Sequence, residues 1–275
     1  MSAKSHSYIP GLGELEEHLA NRAKYYGERY QAIVEFRPRV VMDHYNVLWH
    51  LDLLEQLLIE ELDEPRPATL RITAVQVSLL FQEWLGFLSS HYIGAYYAAA
   101  RTLRWIYESS VASAVALIDG RLLLGRTAPR TLSLGQFRRW LRQYDAGSVR
   151  FPRRLGLGAV GLSPAAQNTY NNLYGSLCKF SHLSAQSFVP VSPIGDLVLH
   201  MKYFDAIARY AYESMDLALY CVLKATMSQW NITEFLDSYL PLFKAGQLHA
   251  VRRSKFPLTF DLINLEQSYR RKSSS

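Results

Sequence analysis

Residues 69–118 read TLRITAVQVSLLFQEWLGFLSSHYIGAYYAAARTLRWIYESSVASAVALI, fifty positions without a proline and without a sustained polar–apolar alternation. Such a stretch is helical rather than stranded. Two helices meeting near Gly86 to Ser90 are expected, the second running from about His91 to Ile118 and stopping at Asp119-Gly120. Within it, Trp84 to Ala100 holds seventeen residues and no charge. Gly86, Gly94, Ser89, Ser90 and His91 make that segment short and polar for a membrane span, so a core helix pair is the better account.

Upstream, Leu12, Leu15, Leu19, Ala23, Tyr26, Tyr30 and Ile33 recur at steps of three and four, which predicts a helix that Pro38 interrupts. A second helix is expected over about 40–62, before the Glu64-Pro-Arg-Pro-Ala68 punctuation. Downstream, residues 121–162 carry nine Arg and a single acid, Asp145. A short amphipathic helix is expected at about Leu134 to Tyr144, opened by a Ser133/Gln136 capping box and followed by a glycine-rich loop. Ser163-Pro164 opens the next helix, with Ala166, Tyr170, Leu173, Leu177 and Phe180 as its buried stripe. A long helix is expected from about Leu197 to Met227, then shorter ones after Asn231. The basic tail from Arg252 is expected to be loose past Glu266. The fold class is therefore all-α, a multi-helix bundle. It reads as one helical domain over 1–275, divided into a first helical set (1–118), an Arg-rich helix-and-loop insertion (119–162), a second set (163–250) and a tail (251–275).

Composition sets the classes of partner. Hydrophobic residues are 49% of the chain, enough for a core. The net charge is +6, but residues 1–110 hold ten Lys/Arg and fourteen Asp/Glu (−4), and the remainder twenty and ten (+10). A polyanion contact therefore belongs in the back half. Cys178 and Cys221 fit no metal or redox spacing and read as buried free thiols. MSAKSHSYIPGLG lacks the apolar core of a signal peptide, so a cytoplasmic location is expected. No cofactor or metal is expected. His44 and His50 face different sides of a helix, and HExxH, GxSxG and Walker patterns are missing from the sequence.

Four features could carry chemistry. Gly156, Gly158 and Gly161 match GxGxxG, but the upstream VRFPRR is no strand, and a mobile linker is the expected structure. Arg138, Arg139 and Arg142 lie opposite Leu134, Phe137 and Leu141 on the short helix. With Arg150, Arg153 and Arg154 they form a candidate nucleic-acid-binding series; a solubilising face or a docking face for an acidic protein is the alternative. On the 91–118 helix, Arg101, Arg104 and Glu108 share a stripe with Tyr97, Ala100, Val111 and Val115, and Arg104 and Glu108 can pair at i,i+4. That pair either pins the helix register or belongs to an internal site with His182, which ends the 164–184 helix.

GAYYAAARTLRWIYESS (94–110), followed by YGSLCKFSHLS (174–184), resembles a group of prokaryotic helical proteins. Their pattern is a small-residue and aromatic run, Arg and Glu a turn apart, then Tyr…Ser…His on a later helix. Arg104, Glu108 and His182 align with it, while Cys178 stands where that group has Ser. The group is similar in outline to HEPN-type domains, helical bundles that include RNA-cleaving toxins and defence nucleases. The resemblance implies a HEPN-like core with extra helices. It also implies, if the chain is an enzyme, a metal-independent ribonuclease with His182 as acid–base group, Arg104 orienting phosphate and Glu108 orienting Arg104. The HEPN hallmark of Arg, four to six residues, then His is met by Arg39 and His44 and not at His182. RNA or another polyanion is the partner expected; a protein partner or a further copy of the chain is the alternative, and membrane contact is disfavoured.

Overall fold

α4 (Tyr96–Asp119) organises the molecule because every residue from Ile106 to Leu117 is buried, polar and apolar alike. A helical stretch with no solvent face must be surrounded. Its Ala and Ser residues leave room for close neighbours, and α3 (Leu70–Tyr92), α8 (Pro164–Ser181) and α9 (Leu197–Met227) pack against it. So do the short α5 (Arg121–Leu124) and α7 (Arg153–Ala159). α2 (Pro38–Glu60) packs on α3, with α1 (Leu12–Phe36) beside both and α10 (Ile232–Ala245) against α2. A 3-10 turn (Arg253–Lys255) leads into α11 (Pro257–Ser273), which lies on α9. The remaining helix is α6 (Leu134–Asp145). This computed structural model describes residues 12–60, 70–149, 153–181, 197–245 and 253–273. Among the described residues every regular element is helical, so the all-α assignment holds. Among them no helix is long and apolar enough to cross a membrane.

Buried polar groups on α4 are answered from neighbouring helices. Gln76 of α3 donates to Ser109 and Ser110 at 3.2 Å and accepts from Ser113 at 2.6 Å. Four partly polar residues can thus lie at the α3–α4 seam without stranded donors.

Three expectations are corrected. The α3–α4 junction lies at Ile93–Ala95, not at Gly86 to Ser90: Gly94 takes a φ of 79°, which favours glycine. Ser89, which looks like punctuation, donates its hydroxyl to the Leu85 carbonyl at 2.9 Å and stays inside the helix. The Gly156/Gly158 segment is helix α7 rather than a loop. A Cβ on Gly156 would stand 2.9 Å from Val111 Cγ1, so this glycine serves the approach of α7 to α4. Finally, the basic tail is helical to Ser273, with Thr259, Leu262 and Ile263 buried.

Asp216 explains why the tail docks. It is fully buried on α9 and accepts from the Leu258 N–H (3.0 Å), the Thr259 N–H (2.9 Å) and the Thr259 hydroxyl (2.8 Å). These are first-turn amides of α11, so a carboxylate from another helix acts as its cap. Tyr170 of α8 donates a fourth bond at 2.9 Å, tying three helices together.

Candidate nucleic-acid interface

α6 is built as a display helix. Ser133 and Gln136 form the expected capping box: the Gln136 N–H donates to Ser133 Oγ at 3.3 Å and the Ser133 N–H to Gln136 Oε1 at 2.9 Å. Phe137 and Trp140 are buried, and the Trp140 ring stacks on Tyr144 at 5.3 Å. Arg138, Arg139 and Arg142 are exposed on the other face. Among the described residues none of these three guanidinium groups makes an ion pair or a side-chain hydrogen bond. Arg138 and Arg142 are one turn apart, about 6 Å along the helix.

The other arginines are placed differently. Arg121 is engaged by Asp119 at 2.6 and 2.8 Å, and Arg130 donates to the Ile118 carbonyl. Arg150 lies outside the described residues; Arg153 and Arg154 open α7, but their side chains lie outside them.

Beneath α6, Arg104 and Glu108 do meet. Arg104 Nε donates to Glu108 Oε1 at 2.9 Å. Tyr174 of α8 donates to the same oxygen at 2.5 Å, and Tyr144 of α6 donates to Oε2. A carboxylate that is 5% exposed thus accepts from three donors on three helices. Burial works against the Arg104 charge, yet attraction to Glu108 outweighs it and raises the Arg104 pKa. Burial, reinforced by Glu108, also raises the pKa values of Tyr144 and Tyr174, so both phenols remain donors at neutral pH. The Arg104 guanidinium further sits 5.6 Å from the Tyr174 ring centroid. Arg101, expected on the same stripe, is exposed instead.

This arrangement fastens α6 and α8 to α4. With both oxygens occupied, Glu108 has no proton-accepting role ready for a substrate. Tyr144 is missing from the sequence reading of this cluster, and Tyr174 enters it only as part of the Tyr…Ser…His pattern, without a link to Glu108. They stand 36 and 66 positions from Glu108, a separation that carries no local signal.

His182 lies outside the described residues, so its distance to this cluster is not part of the geometry. The Arg39/His44 pattern has no catalytic geometry. Arg39 pairs with Asp43 at 3.2 Å. His44 is fully buried, its Nδ1 3.1 Å from the Tyr92 hydroxyl and its ring edge-on to Trp84. Burial, with Lys255 adding to it, lowers its pKa to about 3. His50, also fully buried, contacts the Tyr239 hydroxyl at 2.9 Å. Cys221 is buried as expected, whereas Cys178 is only half-buried. Among the described residues no three His, Cys, Asp or Glu side chains group as metal ligands. No family model, curated protein or solved structure matches the chain.

Proposed function

We propose that this protein binds RNA, or a polyanion of the same kind, through the outer face of α6. The observation that carries the reading is the set of three exposed, unpaired arginines on a helix whose inner face is fastened by Phe137, Trp140 and Tyr144. Arginines on a fixed helix and without internal acids can meet phosphate oxygens with no ion pair to break and no backbone to order. Residues 120–144 contain six Arg and no Asp, Glu or Lys. Asp119, which holds Arg121, and Asp145, at the end of α6, bound this segment, and an arginine-rich, acid-poor stretch of this kind suits a phosphate backbone.

The test is titration of fluorescently labelled single-stranded RNA at low salt, followed by anisotropy. The wild type binds, and Arg138→Ala/Arg139→Ala/Arg142→Ala loses most of the affinity. No binding by the wild type, or equal binding by both, overturns the reading. Capture of an acidic protein with no RNA affinity favours the docking alternative.

Cleavage is a separate part of the proposal. A HEPN-like ribonuclease of a defence or toxin system needs His182 as acid–base group and Arg104 turned toward phosphate. The engagement of Arg104 with Glu108 supports a positioning role for this pair over a direct one. Intact mixed RNA after prolonged incubation without metal, with wild type equal to His182→Ala, removes the nuclease reading and leaves the binding reading standing.

A further inference from the structure

A cleft of about 470 Å³ opens between α2, α8, α9 and the turn before α11, away from the arginines of α6. Its walls are held by three ties. Arg37 grips Asp205 through two hydrogen bonds of 2.7 and 2.8 Å. Lys255 meets Asp43 at 2.6 Å and lies 3.9 Å from the centroid of the Tyr212 ring. Asp216 is saturated by its four donors. The space is therefore preformed rather than a gap between loose elements, which is the usual condition of a small-molecule site.

Two of the ties pair a wall charge with an opposite one, Asp205 with Arg37 and Lys255 with Asp43, and Asp216 is satisfied by neutral donors; Glu213 is the wall carboxylate without close partners. Glu213 projects from the same face of α9 as Asp205, Arg209 and Asp216, at helical spacings of four, four and three. Its side chain is 36% exposed. Among the described residues its one ion partner is Arg209, 3.9 Å away and itself 67% exposed, and its carboxylate accepts no hydrogen bond. Burial raises its pKa against a weaker lowering by Arg209, so the carboxylate is short of compensation. Val40, Ala208 and Pro257 supply apolar wall beside it.

We propose that this cleft binds a small organic amine, with the ammonium seated on Glu213 and the carbon chain along the apolar wall. An ammonium supplies the hydrogen bonds that Glu213 lacks, and with Asp205 paired to Arg37 and Lys255 to Asp43 the remaining wall charges, Glu213 and Asp216 against Arg209, are net negative. An anionic ligand would find one exposed cation on the wall, Arg209 with Glu213 beside it, because Lys255 is engaged by the buried Asp43.

The probes are 1,6-diaminohexane, neutral 1,6-hexanediol and anionic adipate, each titrated into the full chain and read by amide chemical shifts. The diamine is expected to bind with a dissociation constant of about 1 mM or tighter, a range open to a ligand of this size. The diol and adipate should bind at least about tenfold more weakly. Glu213→Gln keeps the side-chain shape and should weaken the diamine at least about tenfold, while Arg209→Ala, which removes a competing cation, should retain or tighten it. Thermal unfolding of both variants establishes that they fold. Adipate binding in preference to the diamine, no binding by any probe, equal diamine affinity in Glu213→Gln, or loss of binding in Arg209→Ala overturns the proposal.

Discussion

His44 and His50 are neutral rings in the folded protein because burial withholds the water that an imidazolium needs, and it lowers both pKa values from 6.5 to about 3. The unfolded chain takes up these protons near pH 6.5 and the folded chain does not. The unfolded state therefore binds more protons between pH 6.5 and 3, and stability falls as the pH drops through that window. Two such groups together remove about 4 kcal/mol between pH 7 and pH 5. Denaturant titrations at the two pH values measure this, and His50→Phe should remove about half of the pH slope. A stability that does not change between pH 7 and 5 contradicts the neutral, buried assignment. Gly120 is a second residue-scale case. Its position was legible in the sequence as a helix terminator, but the structural demand is different: φ is −60°, and a Cβ would stand 2.3 Å from Leu132 Cγ in the core. Gly120→Ala should cost about 2 kcal/mol, an overpacking effect that exceeds the gain in helix propensity; a stabilised variant would show that Leu132 moves freely.

At the scale of elements, the cross-links that set the architecture are carboxylates shared between helices. Glu108 joins α4 to α6 and α8, and Asp216 joins α9 to α8 and α11. Tyr144→Phe removes one donor from Glu108 and should cost about 1–2 kcal/mol. It should also speed amide hydrogen exchange across 134–145 more than across α4. Uniform exchange in both helices would mean that the α6 anchor lies in Phe137 and Trp140 alone. Asp216→Ala leaves first-turn amides of α11 uncapped and should cost about 3 kcal/mol, with early exchange of residues 257–273. These elements also show what sequence conveys. The α6 capping box and the bounds of α9 are local signals, written in Ser133/Gln136 and in an uninterrupted run from Leu197 to Met227, and both were legible. The helicity of α11 was not, because its polar composition resembles a tail and its cap comes from Asp216, more than forty positions upstream. Gly86 and Ser89 look like breakers and draw the expected α3–α4 junction too early. Ser89 satisfies itself on the backbone, and Gly86 sits inside α3.

The described residues form a set of helices around the buried 106–117 stretch of α4, with unpaired positive charge on the outer face of α6. The sequence announced that charge through an arginine-rich, acid-poor segment, and it announced the Arg104–Glu108 pair through their spacing. It did not announce that the pair would sit under α6 and hold it through Tyr144, since that contact links residues 36 positions apart. In this account the polar cluster is the fastener and the arginines are the contact surface, so salt should control the interaction. The most direct measurement is the salt dependence of RNA affinity, plotted as log affinity against log salt concentration for the wild type and for Arg138→Ala/Arg139→Ala/Arg142→Ala. Neutralising three phosphates of a single strand contributes a slope of about −2, so the variant's slope should be shallower by about 2. Equal slopes for the two proteins, or an affinity indifferent to salt, would contradict binding of a polyanion by this face.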